Sequence, residues 1–303
     1  MATSEMTVIS GVYVPLLTAF AADGSIDPGA CAEHARWLVT AQVDGLVPFG
    51  TSGEGPSVSV REKLAALTAL FAAVPGTPII PAITEASLDT ALQLVDAVND
   101  LPAAGVLLQP PFYFRPLSDE ALRRFADRVL AVSAHPVLLY HIPDLAPAVH
   151  LQAVADLPVW GVKDSSGDLS YTRAVLTAGK GVMVGAEHTI VAAIEAGAQG
   201  TIGGLANVLP EHLIAAASAA RAGDSERATE ILGQALAFRD QMLAGAGPLD
   251  WLPIMKRLAQ SRNGVNFGPA RPPVPEVPAD RVNSLIPRLQ DVLSELEPGS
   301  ALA

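Results

Sequence analysis

The chain has 303 residues, 50% of them hydrophobic and 17% charged, which supplies a sizeable core and excludes intrinsic disorder. Asp and Glu number 31 against 19 Lys and Arg, a formal net charge of -12 that argues against nucleic acid or an anionic membrane as partner. The single cysteine, Cys31, excludes an intrachain disulfide and a Cys-rich zinc site. Residues 1–7 are polar, without the basic and apolar regions of a secretory signal, and no run of roughly 18 apolar residues occurs. A soluble cytoplasmic protein is expected.

In chain order, short apolar runs alternate with segments of helical period. Residues 12–17 predict a strand and 28–41 a helix opened by Asp27, on which Cys31 lies near Trp37 as a buried structural thiol. A strand over 45–49, a Gly-rich turn and a helix over 61–74 follow. Next come a strand over 78–82 with a helix over 87–99, and one over 105–109 with a helix over 118–133 capped by Ser118. Further strands over 136–141, 159–163, 182–185 and 200–202 precede helices near 150–155, 170–178, 189–196 and 211–220.

Eight strand–helix units in about 220 residues predict a closed (β/α)8 TIM barrel of the α/β class. An open doubly wound sheet fits less well, since the first strand leads into no G-x-G-x-x-G turn. The barrel, residues 1–222, is expected to be the catalytic domain. Residues 223–303 form a helical extension, with helices over 225–243, 249–261 and, after a Pro-rich stretch at 269–278, 279–296.

Barrel chemistry sits at the C-terminal ends of the strands. The sixth run ends in Lys163, an expensive place for an ammonium. An amine at the ordinary lysine pKa of ~10.4 is protonated at neutral pH, and burial that penalises the charged form makes such an amine a usable Schiff-base nucleophile. The chain has only three other lysines. Lys63 reads as a solvated helix start, Lys180 as a turn residue in Gly-Lys-Gly, and Lys256 as a neighbour of Arg257 on a late helix. The structural alternative for Lys163 is an ion pair with Asp164 or another carboxylate.

The second run ends Phe49-Gly-Thr-Ser-Gly-Glu-Gly55. Gly50 and Gly53 flank Thr51 and Ser52, so backbone N–H groups and hydroxyls can converge on an anion. A carboxylate suits this turn better than a phosphate chain, because no P-loop pattern is present; an ordinary βα turn is the alternative. The fifth run ends in Tyr140, placed to relay a proton or to hydrogen-bond backbone in the core. The Pro/aromatic loop around Tyr113 reads as packing or a subunit contact.

Together, Gly50-Thr-Ser-Gly-Glu54, Pro111-Phe-Tyr-Phe-Arg-Pro116, Tyr140-His-Ile-Pro143 and Gly161-Val-Lys-Asp-Ser-Ser-Gly167 resemble the dihydrodipicolinate synthase/N-acetylneuraminate lyase family of pyruvate-dependent class I aldolases. The resemblance runs from Val12 to about Val208 and more loosely through the tail. It implies a lyase in which Lys163 forms the Schiff base, Tyr140 transfers protons, and Thr51 and Ser52 hold the pyruvate carboxylate. It also implies that Tyr113 reaches the neighbouring subunit's site and that the backbone of Ile202 faces the pyruvate. The lysine–pyruvate imine takes the place of a metal or cofactor. The implied partners are pyruvate, an aldehyde and further copies of the chain, as a homodimer or homotetramer.

Leu145 stands where dihydrodipicolinate-forming enzymes carry an arginine, and an apolar side chain cannot grip a second carboxylate. Residues 50–57 and Arg271-Pro-Pro273 are more similar to 2-keto-3-deoxy sugar-acid aldolases, and Ser166-Gly-Asp-Leu169 resembles sialic acid lyases. His141, Asp144, Leu145, Glu187 and His188 are expected to face the substrate beyond its pyruvate unit. The expected activity is C–C bond making or cleavage on a 2-keto-3-deoxy sugar acid or related 2-oxo acid. The alternatives are 4-hydroxy-tetrahydrodipicolinate synthase activity, hydratase–aldolase or dehydratase chemistry, and a silent barrel that binds a 2-oxo acid.

Overall fold

Eight short strands build one parallel sheet: β1 (Gly11–Val14), β2 (Gly45–Leu46), β3 (Ala82–Ile83), β4 (Val106–Leu108), β5 (Val137–His141), β6 (Gly161–Asp164), β7 (Gly181–Val184) and β8 (Gly200–Ile202). The computed structural model describes residues 9–296, so the stretch 1–7 read for a secretory signal lies outside the described residues. The strand order is β2-β1-β8-β7-β6-β5-β4-β3. Its two edges meet, because Leu46 bridges Ile79 in parallel and Ala82 N donates to Pro48 O at 2.9 Å. This is the (β/α)8 TIM barrel. Several strands are shorter than their apolar runs because Pro15, Pro48, Pro78 and Pro81 have no amide to donate to a ladder.

The outer layer is α1 (Pro28–Thr40), α2 (Val60–Ala73), α3 (Leu88–Val98), α4 (Asp119–Leu130), α5 (Leu151–Asp156), α6 (Leu169–Thr177), α7 (Ile190–Glu195) and α8 (Pro210–Arg221). Local chemistry starts these helices. Asp27 accepts from Ala30 N with Pro28 in the first turn, Ser59 and Glu62 form a reciprocal capping box, and Ser118 accepts from Ala121 N. Strand parity then sorts side chains. Along β5, Leu138 and Tyr140 point into the barrel while Val137 and Leu139 pack under the helices.

The extension contributes α9 (Ser225–Leu243), α10 (Trp251–Asn263), α11 (Ala279–Asn283) and α12 (Ile286–Glu295). The single helix expected over 279–296 is two, because Pro287 in the first turn of α12 cannot continue a helix through the carbonyl of Asn283. Phe238 and Met242 of α9 and Leu252, Ile254 and Leu258 of α10 share one hydrophobic cluster with Val12, Val14 and Leu213. The extension is therefore packed continuously onto the barrel. Cys31 is buried, its Sγ accepting from Ala19 N at 3.2 Å. Among the described residues no helix is long and apolar enough to cross a membrane.

Candidate active site

Parallel pairing of β5 and β6 sets Tyr140 beside Lys163 in register, and both point into the barrel. They are 2% and 3% exposed. Lys163 Nζ lies 4.2 Å from the centroid of the Tyr140 ring, and the phenol oxygen is 3.3 Å from Thr51 Oγ1. Burial alone would push the Tyr140 phenol up. The Lys163 charge and hydrogen bonds from Thr51, Lys163 and Ser165 outweigh it and hold the phenol below its ordinary pKa.

Asp164 has the opposite parity and turns into the helix layer. Its Oδ1 accepts from Ser166 N at 3.0 Å and Ser166 Oγ at 2.7 Å, and its Oδ2 accepts from Thr172 Oγ1 at 2.6 Å. It is not the partner of Lys163, which has no ion-pair partner among the described residues. Two other lysines depart from expectation. Lys63, read as solvated, is 0% exposed and pairs with Glu85, donating also to Thr84 Oγ1 at 3.0 Å. Lys256 is 1% exposed and pairs with Glu54. Buried ammonium groups survive where a carboxylate faces them. Lys163 is thus one of three buried lysines among the described residues, and it alone of the three lacks a carboxylate.

The turn after β2 is built differently from its expected pattern. The left-handed residues are Phe49 (φ 63°) and Glu54 (φ 51°), not the two flanking glycines. At Gly55 a Cβ would overlap the carbonyl oxygen of Phe49, so close approach demands the glycine. Glu54 N donates to Thr51 O and Gly55 N to Gly50 O, both at 3.1 Å. Among the described residues the amides of Thr51 and Ser52 have no acceptor, which leaves them available to an anion. Glu54 anchors the turn through Lys256 and through Arg271 N at 2.8 Å.

A cavity of about 310 Å³ opens over these groups at the C-terminal end of the barrel. Thr51, Ser52, Tyr140, Lys163, Ser165 and Ile202 line it, as do Leu145 and Glu187 nearer the solvent. A Cβ at Gly185 would overlap Ser165 Oγ, so this glycine makes room for the serine beside Lys163. A larger cavity of about 610 Å³ between α10 and the Pro-rich segment contains none of these residues and lacks their chemistry.

The other candidates lie elsewhere. Gly50 is buried in the turn without lining the cavity. His141 shares the outward parity of β5: its Nδ1 accepts from Val149 N at 3.0 Å, and its ring stacks on Tyr171 at 4.1 Å. Burial pushes this imidazole down. Asp144 and His188 are exposed and do not line the cavity. Tyr113 is 77% exposed, edge-on to Phe114, and stands outside its own chain's cavity.

Sequence reasoning missed Ser165, Arg239, Met242, Trp251 and Met255, which also line the cavity. Ser165 had a signal, since it follows Lys163 by two residues and shares its parity. The remaining four sit on α9 and α10 and reach the cavity only through tertiary packing.

The chain matches the model of the dihydrodipicolinate synthetase family over residues 8–291. It is 31% identical over 247 residues to the 4-hydroxy-tetrahydrodipicolinate synthase of Acidiphilium cryptum, covering 78% of this chain and 84% of that one. Among solved structures, a variant of the Sulfolobus solfataricus 2-keto-3-deoxygluconate aldolase superposes with a TM-score of 0.86 at 24% identity, covering 94% of this chain and 97% of the other. The Ruminococcus gnavus sialic acid aldolase does so with a TM-score of 0.89 at 20% identity, covering 94% and 98%. With the family match spanning almost the whole chain, the protein belongs to the dihydrodipicolinate synthetase family.

Proposed function

We propose that the protein is a lyase, a class I aldolase that makes or cleaves a C–C bond between pyruvate and an aldehyde through an imine on Lys163, with no metal or cofactor. One observation carries this reading: Lys163 is buried without a carboxylate, in register with Tyr140, whose phenol also meets Thr51. An ammonium kept for structure would have a counter-ion, as Lys63 and Lys256 do.

The free amine attacks C2 of pyruvate, and loss of water from the carbinolamine gives an iminium. A proton leaves C3 to give the enamine, whose C3 adds to the aldehyde carbon. The aldehyde oxygen takes up a proton through Tyr140, and water then cleaves the imine, releasing a 4-hydroxy-2-oxo acid and the amine. Cleavage is the same sequence reversed. The Tyr140 phenol, held below its ordinary pKa, suits a group that must both accept and return a proton. The free amides of Thr51 and Ser52 fix the carboxylate and so set the carbonyl beside the amine.

The exposed Tyr113 and Phe114 pair supports a homo-oligomer in which Tyr113 completes a neighbouring site. The decisive experiment is incubation with pyruvate, borohydride reduction and intact mass measurement. A stable pyruvyl adduct is expected in the wild type and absent in Lys163→Ala. No adduct, or an equal adduct in the variant, refutes the aldolase reading.

A further inference from the structure

We propose that the aldehyde half of this site takes an uncharged apolar aldehyde, aromatic or branched aliphatic, in preference to a polyhydroxylated or carboxylate-bearing one. The proposal rests on the pyruvate-aldolase reading above and narrows its second substrate, departing from the sugar-acid substrate expected from residues 50–57 and Arg271-Pro-Pro273.

Burial gives the cavity a direction. Its floor is Lys163, Tyr140 and Ile202, at most 3% exposed, and its mouth includes Leu145 at 47% and Leu243 at 38%. The pyruvate unit occupies the floor because the amine and the Thr51–Ser52 amides are there. The carbon chain of the partner then extends past the buried Ile142, Met242 and Met255 toward Leu145, Leu243 and Trp251. Five of these six are aliphatic or thioether side chains with no strong donor or acceptor, and Trp251 offers an indole. Ser165, Glu187 and Arg239 are the other polar groups on that lining.

A polyol can meet water at the mouth and Ser165, Glu187 or Arg239 on the lining, but each hydroxyl set against the buried Ile142, Met242 and Met255 loses water without a partner, which is costly. An apolar aldehyde gains from the same wall by burying its own surface. The one cation on this side, Arg239, is already answered. Its Nη2 and Nε lie 2.9 and 3.2 Å from Asp240 Oδ1, and its Nη1 lies 3.8 Å from Glu187 Oε2. Two carboxylates against one guanidinium leave no surplus positive charge for a substrate anion. Leu145 completes the apolar rim.

The test uses the purified enzyme with pyruvate as donor and a panel of benzaldehyde, isobutyraldehyde, D-glyceraldehyde and succinic semialdehyde. Each addition forms one C–C bond between C3 of pyruvate and the aldehyde carbon, with no oxidant or reductant. Borohydride trapping of the pyruvate adduct comes first, because its absence refutes the aldolase reading itself. With the adduct present, kcat/KM for benzaldehyde or isobutyraldehyde is expected to exceed that for both polar aldehydes by at least ~10-fold. Parity, a faster polar aldehyde, or no turnover of any aldehyde despite the adduct overturns the proposal. Leu145→Arg, at an exposed rim position, is expected to raise succinic semialdehyde relative to benzaldehyde by ~10-fold or more. An unchanged ratio also counts against it.

Discussion

Lys256→Met tests how the turn after β2, proposed to bind the substrate carboxylate, is held. The side chain of Lys256 reaches from α10 to Glu54, passing 4.6 Å over the ring of Phe20. Methionine preserves most of that volume and removes the charge. Glu54, 4% exposed, then keeps one donor among the described residues, Arg271 N at 2.8 Å. Removing one member of a buried pair costs ~3–5 kcal/mol because the other charge stays buried, and the surviving amide places this case near the lower end, about 3 kcal/mol. At roughly 2–4 °C per kcal/mol for a chain of this size, Tm falls by roughly 6–12 °C.

The functional consequence follows from geometry. Glu54 closes the turn that begins at Gly50 and carries Thr51 and Ser52. Loosening it raises the KM for pyruvate by ~5-fold, or about 1 kcal/mol, while Lys163 still forms its borohydride adduct. Calorimetry and steady-state kinetics read the two effects separately. The double variant Glu54→Gln/Lys256→Met leaves no buried charge at this contact and recovers most of the lost Tm. A single variant within about 2 °C of wild type, or a double variant less stable than the single one, refutes the clamp.

Three further outcomes follow. Thr51→Val removes the hydroxyl 3.3 Å from the Tyr140 phenol, so the phenol rises toward its ordinary pKa; kcat drops ~10-fold and the rising limb of its pH profile moves to higher pH, while an unshifted limb refutes the coupling. His34, fully buried, is pushed by desolvation from 6.5 down to about 4, and its ring nitrogens meet Asn207 Oδ1 at 3.0 Å and Asn263 Nδ2 at 2.9 Å, a pairing that suits the neutral ring. The unfolded chain takes the proton first, so stability is full above pH 6.5 and falls as pH drops toward 4, by about 2 kcal/mol at pH 5; urea titrations of wild type and His34→Gln at pH 7 and 5 should show the larger loss in wild type. Phe114→Asp, in the exposed aromatic loop, shifts sedimentation toward smaller species and lowers activity with it, whereas unchanged sedimentation refutes the loop as a subunit contact.

Much of this architecture was legible because its signals are local. Capping residues such as Asp27, Ser59 and Ser118 and the apolar runs between them mark the alternation. Tyr140 and Lys163 were legible too, since strand-end position and parity aim them inward. The buried states of Lys63 and Lys256 were not, because the carboxylates that make burial tolerable come from distant segments, Glu85 after β3 and Glu54 after β2. On the sequence, a lysine beside Arg61 and Glu62 looks solvated. The outward turn of His141 could have been read from its alternation with Tyr140. The cavity's outer wall could not, since α9 and α10 carry no motif and line the site only once they have packed.

The net charge of -12 gains meaning from where the cations stand. Lys63 faces Glu85, Lys256 faces Glu54, Arg271 faces Glu62 and Arg239 faces Glu187 and Asp240. Each answers a charge of the protein's own. Of the Lys and Arg side chains lining the cavity, Lys163 is the one that no carboxylate answers among the described residues, and under the proposed function the carboxylate of a 2-oxo acid on the Thr51–Ser52 amides brings a negative charge beside it. A second carboxylate on the aldehyde would enter a region already holding more negative than positive groups, beside Leu145, which cannot compensate it. The proposed pairing, a monoanion at the floor and an uncharged chain at the mouth, matches this distribution of charge.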